Sequence, residues 1–123
     1  MISLKEVESI HEILIDKFGG TKGIRDSGAL ESAINRPYQT FDQKELYPDP
    51  IEKAAAIFES LISNHPFIDG NKRTAYVLMR LTLLENNLDF QADQNERYDF
   101  VLMAAKGEMK FDQIKKWLTN HVK

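Results

Sequence analysis

The chain has 123 residues, of which 42% are hydrophobic and 28% charged, as expected for one globular domain with a real core. A formal net charge of −3 argues against direct binding of nucleic acid or of an anionic membrane. The absence of cysteine excludes a disulfide framework and thiolate chemistry. Because no secretory signal and no membrane-spanning stretch is visible, we expect a single cytoplasmic domain, residues 1–123.

Two helices are predicted before residue 38. Ser3 and Glu6 have the spacing of a capping box, which starts a helix. An apolar face follows, and the glycine pair at 19–20 should end this first helix. A short second helix should begin at Asp26 or Ser27 and be closed by Pro37.

The middle of the chain changes character twice. Residues 38–50 are polar and aromatic without a helical period, so they predict a loop or a short hairpin. The third helix then shows clean amphipathic spacing, with apolar residues at Ile51, Ala54, Ala55, Phe58, Leu61 and Ile62.

Helices are also predicted for the rest of the chain. The fourth, from about Gly70 to Asn87, is apolar nearly all round, which is typical of a central, buried helix. Asp93 and Glu96 have the spacing of a second capping pair before a fifth helix. A sixth helix should begin near Phe111. The fold class is therefore all-α.

Residues 65–73 read His-Pro-Phe-Ile-Asp-Gly-Asn-Lys-Arg and are the main functional signal. A helix that begins at Gly70 would direct its free N–H groups and its positive dipole end at the preceding turn, an arrangement that binds phosphate. Lys72 and Arg73 add positive charge to the first turn, where helices usually prefer acids. Each residue type alone is ordinary in a turn, but the combination predicts an anion-binding site.

His65 and Asp69 are the candidate reactive groups of this segment. Pro66 disfavours helical conformation in the residue before it, so the third helix should end near Asn64 and leave His65 in the turn. There the imidazole can accept a proton near neutral pH. Asp69 could cap the fourth helix or bind Mg²⁺, which takes few carboxylates and shares its shell with phosphates and water. Both alternatives remain open on the sequence alone.

The four residues after Asp69 are of types that bind phosphate. Gly70 would let a phosphate approach the backbone, Asn71 could donate through its amide, and Lys72 and Arg73 offer a compact charge and a planar fork. An enzyme that transfers a group from a nucleoside triphosphate to a hydroxyl requires three parts. They are a base, a metal-binding carboxylate and a phosphate-binding turn.

A zinc site is the rival interpretation of the same residues. It would use His65 and Asp69, but it lacks a convincing third ligand. His11 and His121 lie on amphipathic helix faces, where packed or surface histidines are more common than ligands. Phe67 is expected to be a packing anchor that holds the turn on the core.

Residues 65–73 resemble the motif of the Fic superfamily, His-Pro-Phe-x-Asp/Glu-Gly-Asn-Gly-Arg-x-x-Arg. Within it they are most similar to the death-on-curing (Doc) branch, the toxins of toxin–antitoxin modules. Lys72 stands where the nucleotidyl-transferring branch has glycine, and Tyr76 where that branch has its second arginine, which is the Doc pattern. The glycine pair at 19–20 and the segments 26–33 and 45–48 also resemble this family, so the resemblance covers nearly the whole chain.

The resemblance implies a compact helical bundle around a central apolar helix, with a small flap or hairpin before the motif. It implies that His65 is the catalytic base, that Asp69 positions Mg²⁺, and that four residues hold the phosphates of ATP: Gly70, Asn71, Lys72 and Arg73. In Doc the nucleotide lies reversed, so that the γ-phosphate is transferred to a threonine of elongation factor Tu and translation stops. A small antitoxin inserts a segment into a groove on the toxin.

Two alternatives remain beside this function. Gly70 stands where some Doc proteins carry alanine, so the motif is slightly closer to the general Fic form. Transfer of AMP is therefore the first alternative. The second is an inactive interaction module that keeps the fold, because fold alone does not determine activity.

Overall fold

The structure, a computed structural model, describes residues 2–123 and confirms the all-α fold class. Six α-helices are present in these residues, together with a 3₁₀ turn at Arg36–Tyr38 and a two-stranded hairpin. None of the helices described could cross a membrane, because none combines the necessary length and apolar character. The elements are α1 (Leu4–Phe18), α2 (Ser27–Asn35), β1 (Thr40–Phe41), β2 (Lys44–Glu45), α3 (Pro50–Asn64), α4 (Asn71–Leu84), α5 (Gln94–Ala105) and α6 (Phe111–His121).

Local capping starts the first two helices as predicted. The Ser3 hydroxyl accepts a hydrogen bond from the Glu6 backbone N–H, and the Glu6 carboxylate accepts one from the Ser3 N–H. Gly19 ends α1 with a φ of 90°, a conformation that favours glycine. Of the two candidates for the start of α2, the structure selects Asp26, whose carboxylate accepts from a backbone N–H in the first turn.

The central helix α4 is shorter than predicted at both ends. Gly70 precedes it in the left-handed conformation, with φ 75° and ψ 18°, and is therefore its cap and not its first residue. At the other end Asn87 has a φ of 60°, and the Leu88 N–H donates back to the Leu83 carbonyl at 3.0 Å. Helices commonly end with this kind of left-handed reversal.

Helices α3 and α4 form the centre of the hydrophobic core, and their association is the most extensive of any helix pair. The apolar face of α3 that the spacing predicted is buried except for Ile51, which is partly buried, while α4 also exposes one large hydrophobic side chain, Leu84. Helices α5 and α6 contribute to the same core cluster through Phe100, Ala104, Ile114 and Leu118.

The segment before α3 forms the short hairpin that was one of the two predictions. Thr40 pairs with Glu45 and Phe41 with Lys44. Arg36 anchors the base of this hairpin to the core, because its guanidinium donates to the Tyr47 hydroxyl and to Glu59 on α3. The hairpin is therefore attached at its base, while Phe41 is largely exposed.

The capping pair of α5 gives a stability prediction. The Asp93 carboxylate accepts from the Glu96 N–H at 2.8 Å, and Glu96 accepts in return from the Asp93 N–H. Asp93→Ala should lower the free energy of unfolding by about 1 kcal/mol, because it removes the cap. Asp93→Ser, which keeps an oxygen acceptor, should retain most of that stability. Urea denaturation of the two variants measures the difference, and equal losses would show that the cap contributes nothing.

Candidate active site

The residues of the predicted site lie in the turn between α3 and α4, which is paired with another part of the chain. We call residues 65–70 the motif turn and residues 19–26 the α1–α2 loop. The Gly23 carbonyl accepts from the Ile68 N–H at 3.1 Å, and the Pro66 carbonyl accepts from the N–H groups of Arg25 and Asp26. The two segments therefore support each other through their backbones.

His65 ends α3 in the left-handed conformation, with φ 48° and ψ 58°. This position confirms that the helix stops at Asn64. The Arg25 guanidinium donates to the carbonyl of His65 and to that of Asn64, both at 2.7 Å. A cation bonded to the last carbonyls of a helix also interacts favourably with its dipole. Arg25 thus stabilises the backbone that carries His65.

The imidazole of His65 is available for chemistry. The side chain is exposed, lines the cavity beside the motif turn, and has no hydrogen-bond partner among residues 2–123. A candidate base needs an accessible ring nitrogen in reach of a substrate, and His65 meets that condition.

Asp69 accepts two backbone hydrogen bonds. One carboxylate oxygen takes the Thr21 N–H at 3.1 Å, and the other takes the Gly70 N–H at 2.8 Å. These bonds lower the pKa of Asp69 from its ordinary value, the Thr21 bond most, with the charge of Arg73 contributing less. The carboxylate does not cap α4, since no described side chain accepts from the first turn of that helix. The cap alternative is therefore wrong.

Gly70 serves the packing of the turn. Its positive φ favours glycine, and a β-carbon there would lie 3.0 Å from Ile15 Cδ1 and 3.5 Å from His11 Nε2. The missing side chain therefore faces the core and not the cavity, which differs from the expected reason for this glycine. His11 is a packed residue, as predicted: its Nε2 donates to the Asp69 carbonyl at 2.8 Å, and its ring stacks on Phe67.

Phe67 and Asn71 lock the motif turn from inside. Phe67 is 1% exposed, which confirms it as the packing anchor. Its backbone N–H donates to the Asn71 side-chain oxygen, and its carbonyl accepts from the Asn71 amide nitrogen, both at 2.9 Å. The Asn71 amide retains one further N–H, so the contact with phosphate stays a prediction beside this structural role.

The start of α4 offers donors and cations to the cavity. The Thr74 N–H is the first in α4 that donates to a carbonyl of the helix start, that of Gly70, at 3.0 Å. The backbone N–H groups of residues 71–73 are therefore open to a ligand. The Lys72 ammonium has no partner in the described part of the chain. The Arg73 guanidinium lies 4.8 Å from the centre of the Phe18 ring.

All six predicted site residues line one cavity of about 550 Å³, which also includes residues of α5. The arrangement combines a free imidazole, an ionised carboxylate, a helix start and two cations. Such a set can bind an anionic ligand, accept a proton and hold a cation through one carboxylate. The predicted residues are His65, Asp69, Gly70, Asn71, Lys72 and Arg73.

The donor set distinguishes the two metal interpretations. Nowhere in residues 2–123 do three or more histidine, cysteine or acidic side chains converge in a way that could hold a metal, so the zinc alternative lacks its ligands. Asp69 fits Mg²⁺ better, because each of its oxygens keeps a lone pair and Mg²⁺ uses few carboxylates when phosphates are present.

Sequence reasoning missed the residues that support the site from the α1–α2 loop. Arg25 contacts His65, Thr21 contacts Asp69, and the Gly19 carbonyl accepts from Arg73 at 3.4 Å. The sequence indicated the glycine pair at 19–20 as a helix stop and as part of the family resemblance, but not as a contact of the site. Local periodicity contains no signal for the pairing of two distant loops, so these contacts could not be predicted from it.

Comparisons with known proteins identify the family of the chain. Residues 1–83 match the Fic/DOC family model. A "Toxin Doc" of Mycolicibacterium smegmatis is 42% identical over 101 residues, which cover 79% of this chain and 76% of that protein. A "Protein kinase doc" of Escherichia phage P1 is 31% identical over 113 residues, covering 92% and 88%. The chain belongs to the Fic/DOC family.

A more distant similarity is also present. A protein adenylyltransferase of Caenorhabditis elegans is 44% identical over 45 residues, which cover 37% of this chain but only 9% of that protein. The two Doc relatives, in contrast, match over most of their length. The similarity to the Doc proteins therefore extends well beyond a shared motif.

The contact of Arg25 with the end of α3 gives a second stability prediction. Arg25→Met keeps the aliphatic stem but removes both donors, so the free energy of unfolding should fall by about 1 kcal/mol. Arg25→Lys should recover part of the loss, because an ammonium can reach one carbonyl but cannot fork. Urea denaturation measures the effect, and the amide resonance of His65 should shift in both variants. An unchanged resonance in Arg25→Met would contradict the contact.

The hydrogen bonds to Asp69 predict a pH dependence. Because its pKa is lowered in the folded state, the ionised carboxylate stabilises the fold above its unfolded pKa of about 3.9. That contribution is lost as the pH falls through the lowered value. Wild type should therefore be more stable than Asp69→Asn at pH 6, and the difference should shrink towards pH 2. A difference that is constant with pH, measured by thermal unfolding, would rule out the charged carboxylate as its source.

Proposed function

We propose that this chain is a Doc-type toxin that transfers the γ-phosphate of ATP to a serine or threonine hydroxyl of a protein. The observation that carries the proposal is the cavity in which His65, Asp69, Lys72 and Arg73 meet. Two relatives that match over most of their length bear the names "Toxin Doc" and "Protein kinase doc", which supports a toxin and a kinase-type reaction in general.

Two residues favour phosphoryl transfer over AMP transfer. Lys72 adds a cation where the resemblance expects glycine in nucleotidyl-transferring relatives. Tyr76 replaces the second arginine of that branch, and it packs edge-on against Phe90 at 5.9 Å. The position of that second arginine therefore has no guanidinium in this chain to hold an additional phosphate group. These differences support a site that holds the nucleotide by its terminal phosphates near Lys72.

The proposed reaction assigns one role to each reactive group. The substrate hydroxyl oxygen attacks the γ-phosphorus, the bond between that phosphorus and the β–γ bridging oxygen breaks, and ADP leaves. His65 takes the hydroxyl proton. Lys72 and Arg73 balance the charge on the phosphate oxygens, and the open N–H groups of α4 contribute the positive end of the helix dipole.

Mg²⁺ is the proposed cofactor, and it would neutralise phosphate charge when bound. Asp69 would hold it, since the Thr21 and Gly70 amides keep this carboxylate ionised and oriented. The Asn71 amide, fixed by Phe67, would place its remaining N–H near the phosphates.

The proposed protein substrate is elongation factor Tu, whose modification would stop translation in the cytoplasm. This target follows from the resemblance to Doc. A small antitoxin is the proposed partner, because the relative in Mycolicibacterium smegmatis is named as a toxin. The proposal includes no direct contact with nucleic acid, consistent with the net charge of −3.

A double-label experiment tests the proposed reaction. The purified protein is incubated with elongation factor Tu, Mg²⁺ and ATP labelled either at the α- or at the γ-phosphate. We expect label from the γ-position only, and a mass gain of one phosphate on a serine or threonine. A gain of AMP would replace the proposal by the adenylyltransferase alternative, and ATP binding without any transfer would favour the interaction module.

The variant His65→Ala tests the role of His65 as the base. Its turnover should fall by about 10²–10⁴-fold, while its affinity for ATP changes little. Because the imidazole is exposed and has no partner among the described residues, the fold should survive, which circular dichroism checks. Full activity in this variant would remove the proton-transfer role.

A further inference from the structure

One histidine outside the motif lies directly behind the candidate site. His11 is 2% exposed and belongs to the buried face of α1, together with Val7 and Ile15. Its ring stacks on that of Phe67, with the ring centres 3.8 Å apart and the planes inclined by 5°. Because Phe67 is itself buried in the core, this stacking fixes the imidazole in place. The proposed reaction assigns no role to this buried side chain.

The imidazole of His11 is hydrogen-bonded to the backbone of the motif turn. Its Nε2 lies 2.8 Å from the carbonyl oxygen of Asp69. A carbonyl oxygen can only accept, so Nε2 carries the proton and is the donor of this bond. A buried donor that loses its partner costs free energy. The bond therefore opposes any movement that turns the Asp69 carbonyl away from α1.

The peptide group that joins Asp69 to Gly70 is hydrogen-bonded at both of its ends. Its carbonyl accepts from His11, and its N–H, which belongs to Gly70, donates to the Asp69 carboxylate at 2.8 Å. Because a peptide group is planar and rigid, its carbonyl and its N–H turn together. A rotation that takes the carbonyl away from His11 therefore also takes the Gly70 N–H away from the carboxylate.

Glycine makes this peptide group easy to rotate. Gly70 has a φ of 75°, and a half-turn of the preceding peptide plane would bring that angle to a negative value. Glycine adopts positive and negative φ about equally readily, so the backbone at residue 70 does not by itself select the observed orientation. A contact from outside the turn has to select it, and the hydrogen bond from His11 to the Asp69 carbonyl is such a contact.

We propose that His11 is a positioning residue, which fixes the plane of the Asp69–Gly70 peptide and so keeps the Gly70 N–H directed at the Asp69 carboxylate. Its effect on transfer rests on the proposed function, in which this carboxylate holds Mg²⁺. The geometric part does not, because the hydrogen bond between Gly70 and Asp69 can be observed without a nucleotide. Loss of a residue that supports a metal ligand from behind typically weakens metal affinity or activity by about 10–100-fold.

Three variants on the buried face of α1 test the proposal. His11→Leu keeps an apolar side chain but removes the donor. His11→Gln keeps an N–H donor of similar reach and is the conservative rescue. Val7→Ala is the matched control, because Val7 is also buried and its truncation destabilises the same face without removing a hydrogen bond. Circular dichroism gives a temperature at which wild type and all three variants are folded.

Two measurements are made on each protein at that temperature. The amide proton resonance of Gly70 reports its hydrogen bond without any substrate. It should move upfield in His11→Leu and stay near the wild-type position in His11→Gln and Val7→Ala. The Mg²⁺ concentration that gives half-maximal transfer from ATP should rise about 10-fold in His11→Leu. Turnover at saturating Mg²⁺ should change less, and the other two variants should need about as much Mg²⁺ as wild type.

The outcomes distinguish this inference from the proposed function. An unchanged Gly70 resonance in His11→Leu would overturn the positioning role, whatever the activity. An equal change in His11→Gln would show that the donor is not the cause, and an equal rise of the Mg²⁺ requirement in Val7→Ala would assign the effect to lost stability. Either result makes the inference wrong. If wild type transfers nothing from ATP, the proposed function fails, while the Gly70 resonance still decides whether His11 fixes the peptide.

Discussion

The backbone pairing between the α1–α2 loop and the motif turn supports three groups of the candidate site. Arg25 bonds to the carbonyl of His65, Thr21 to the carboxylate of Asp69, and the Gly19 carbonyl to Arg73. A base, a carboxylate and a cation thus depend on one short loop. Gly20 shows how close the approach is, because a β-carbon there would lie 2.8 Å from an Asp69 oxygen. Displacement of this loop would therefore disturb all three groups together.

The motif turn itself is shaped by two left-handed residues with a buried anchor between them. His65 ends α3 with a φ of 48°, and Gly70 precedes α4 with a φ of 75°. Non-glycine residues adopt this conformation at a cost of about 1–2 kcal/mol, which the two hydrogen bonds from Arg25 can offset. Phe67 and Asn71 hold the centre of the turn against the core. The reactive side chains are therefore exposed while the backbone that carries them is fixed.

Features that depend on neighbouring residues could be predicted from the sequence, and features that depend on distant segments could not. The capping pair Ser3 and Glu6 and the stop at Asn64 were predicted correctly because a few adjacent residues determine them. The motif residues were placed in the turn after α3 and at the start of α4 for the same reason. The contacts of Arg25 and Thr21 were missed, since no local pattern specifies which loop pairs with the turn. The sequence leaves the cap and the metal role of Asp69 open, whereas the structure has Gly70 in the cap position and the Asp69 carboxylate bonded to the Thr21 and Gly70 amides.

The order of charges along α4 connects the fold with the proposed reaction. A cation in the first turn of a helix opposes the helix dipole, and Lys72 has no acidic partner within residues 2–123 to compensate for this. An anionic ligand at the helix start removes the conflict. Lys72 is therefore unfavourable for the helix start when no ligand is bound and favourable when the anion is present. Lys72 lines the same cavity as the proposed base and the proposed metal ligand. An anion that neutralises Lys72 would therefore lie within reach of the groups to which the proposed reaction assigns proton and metal binding.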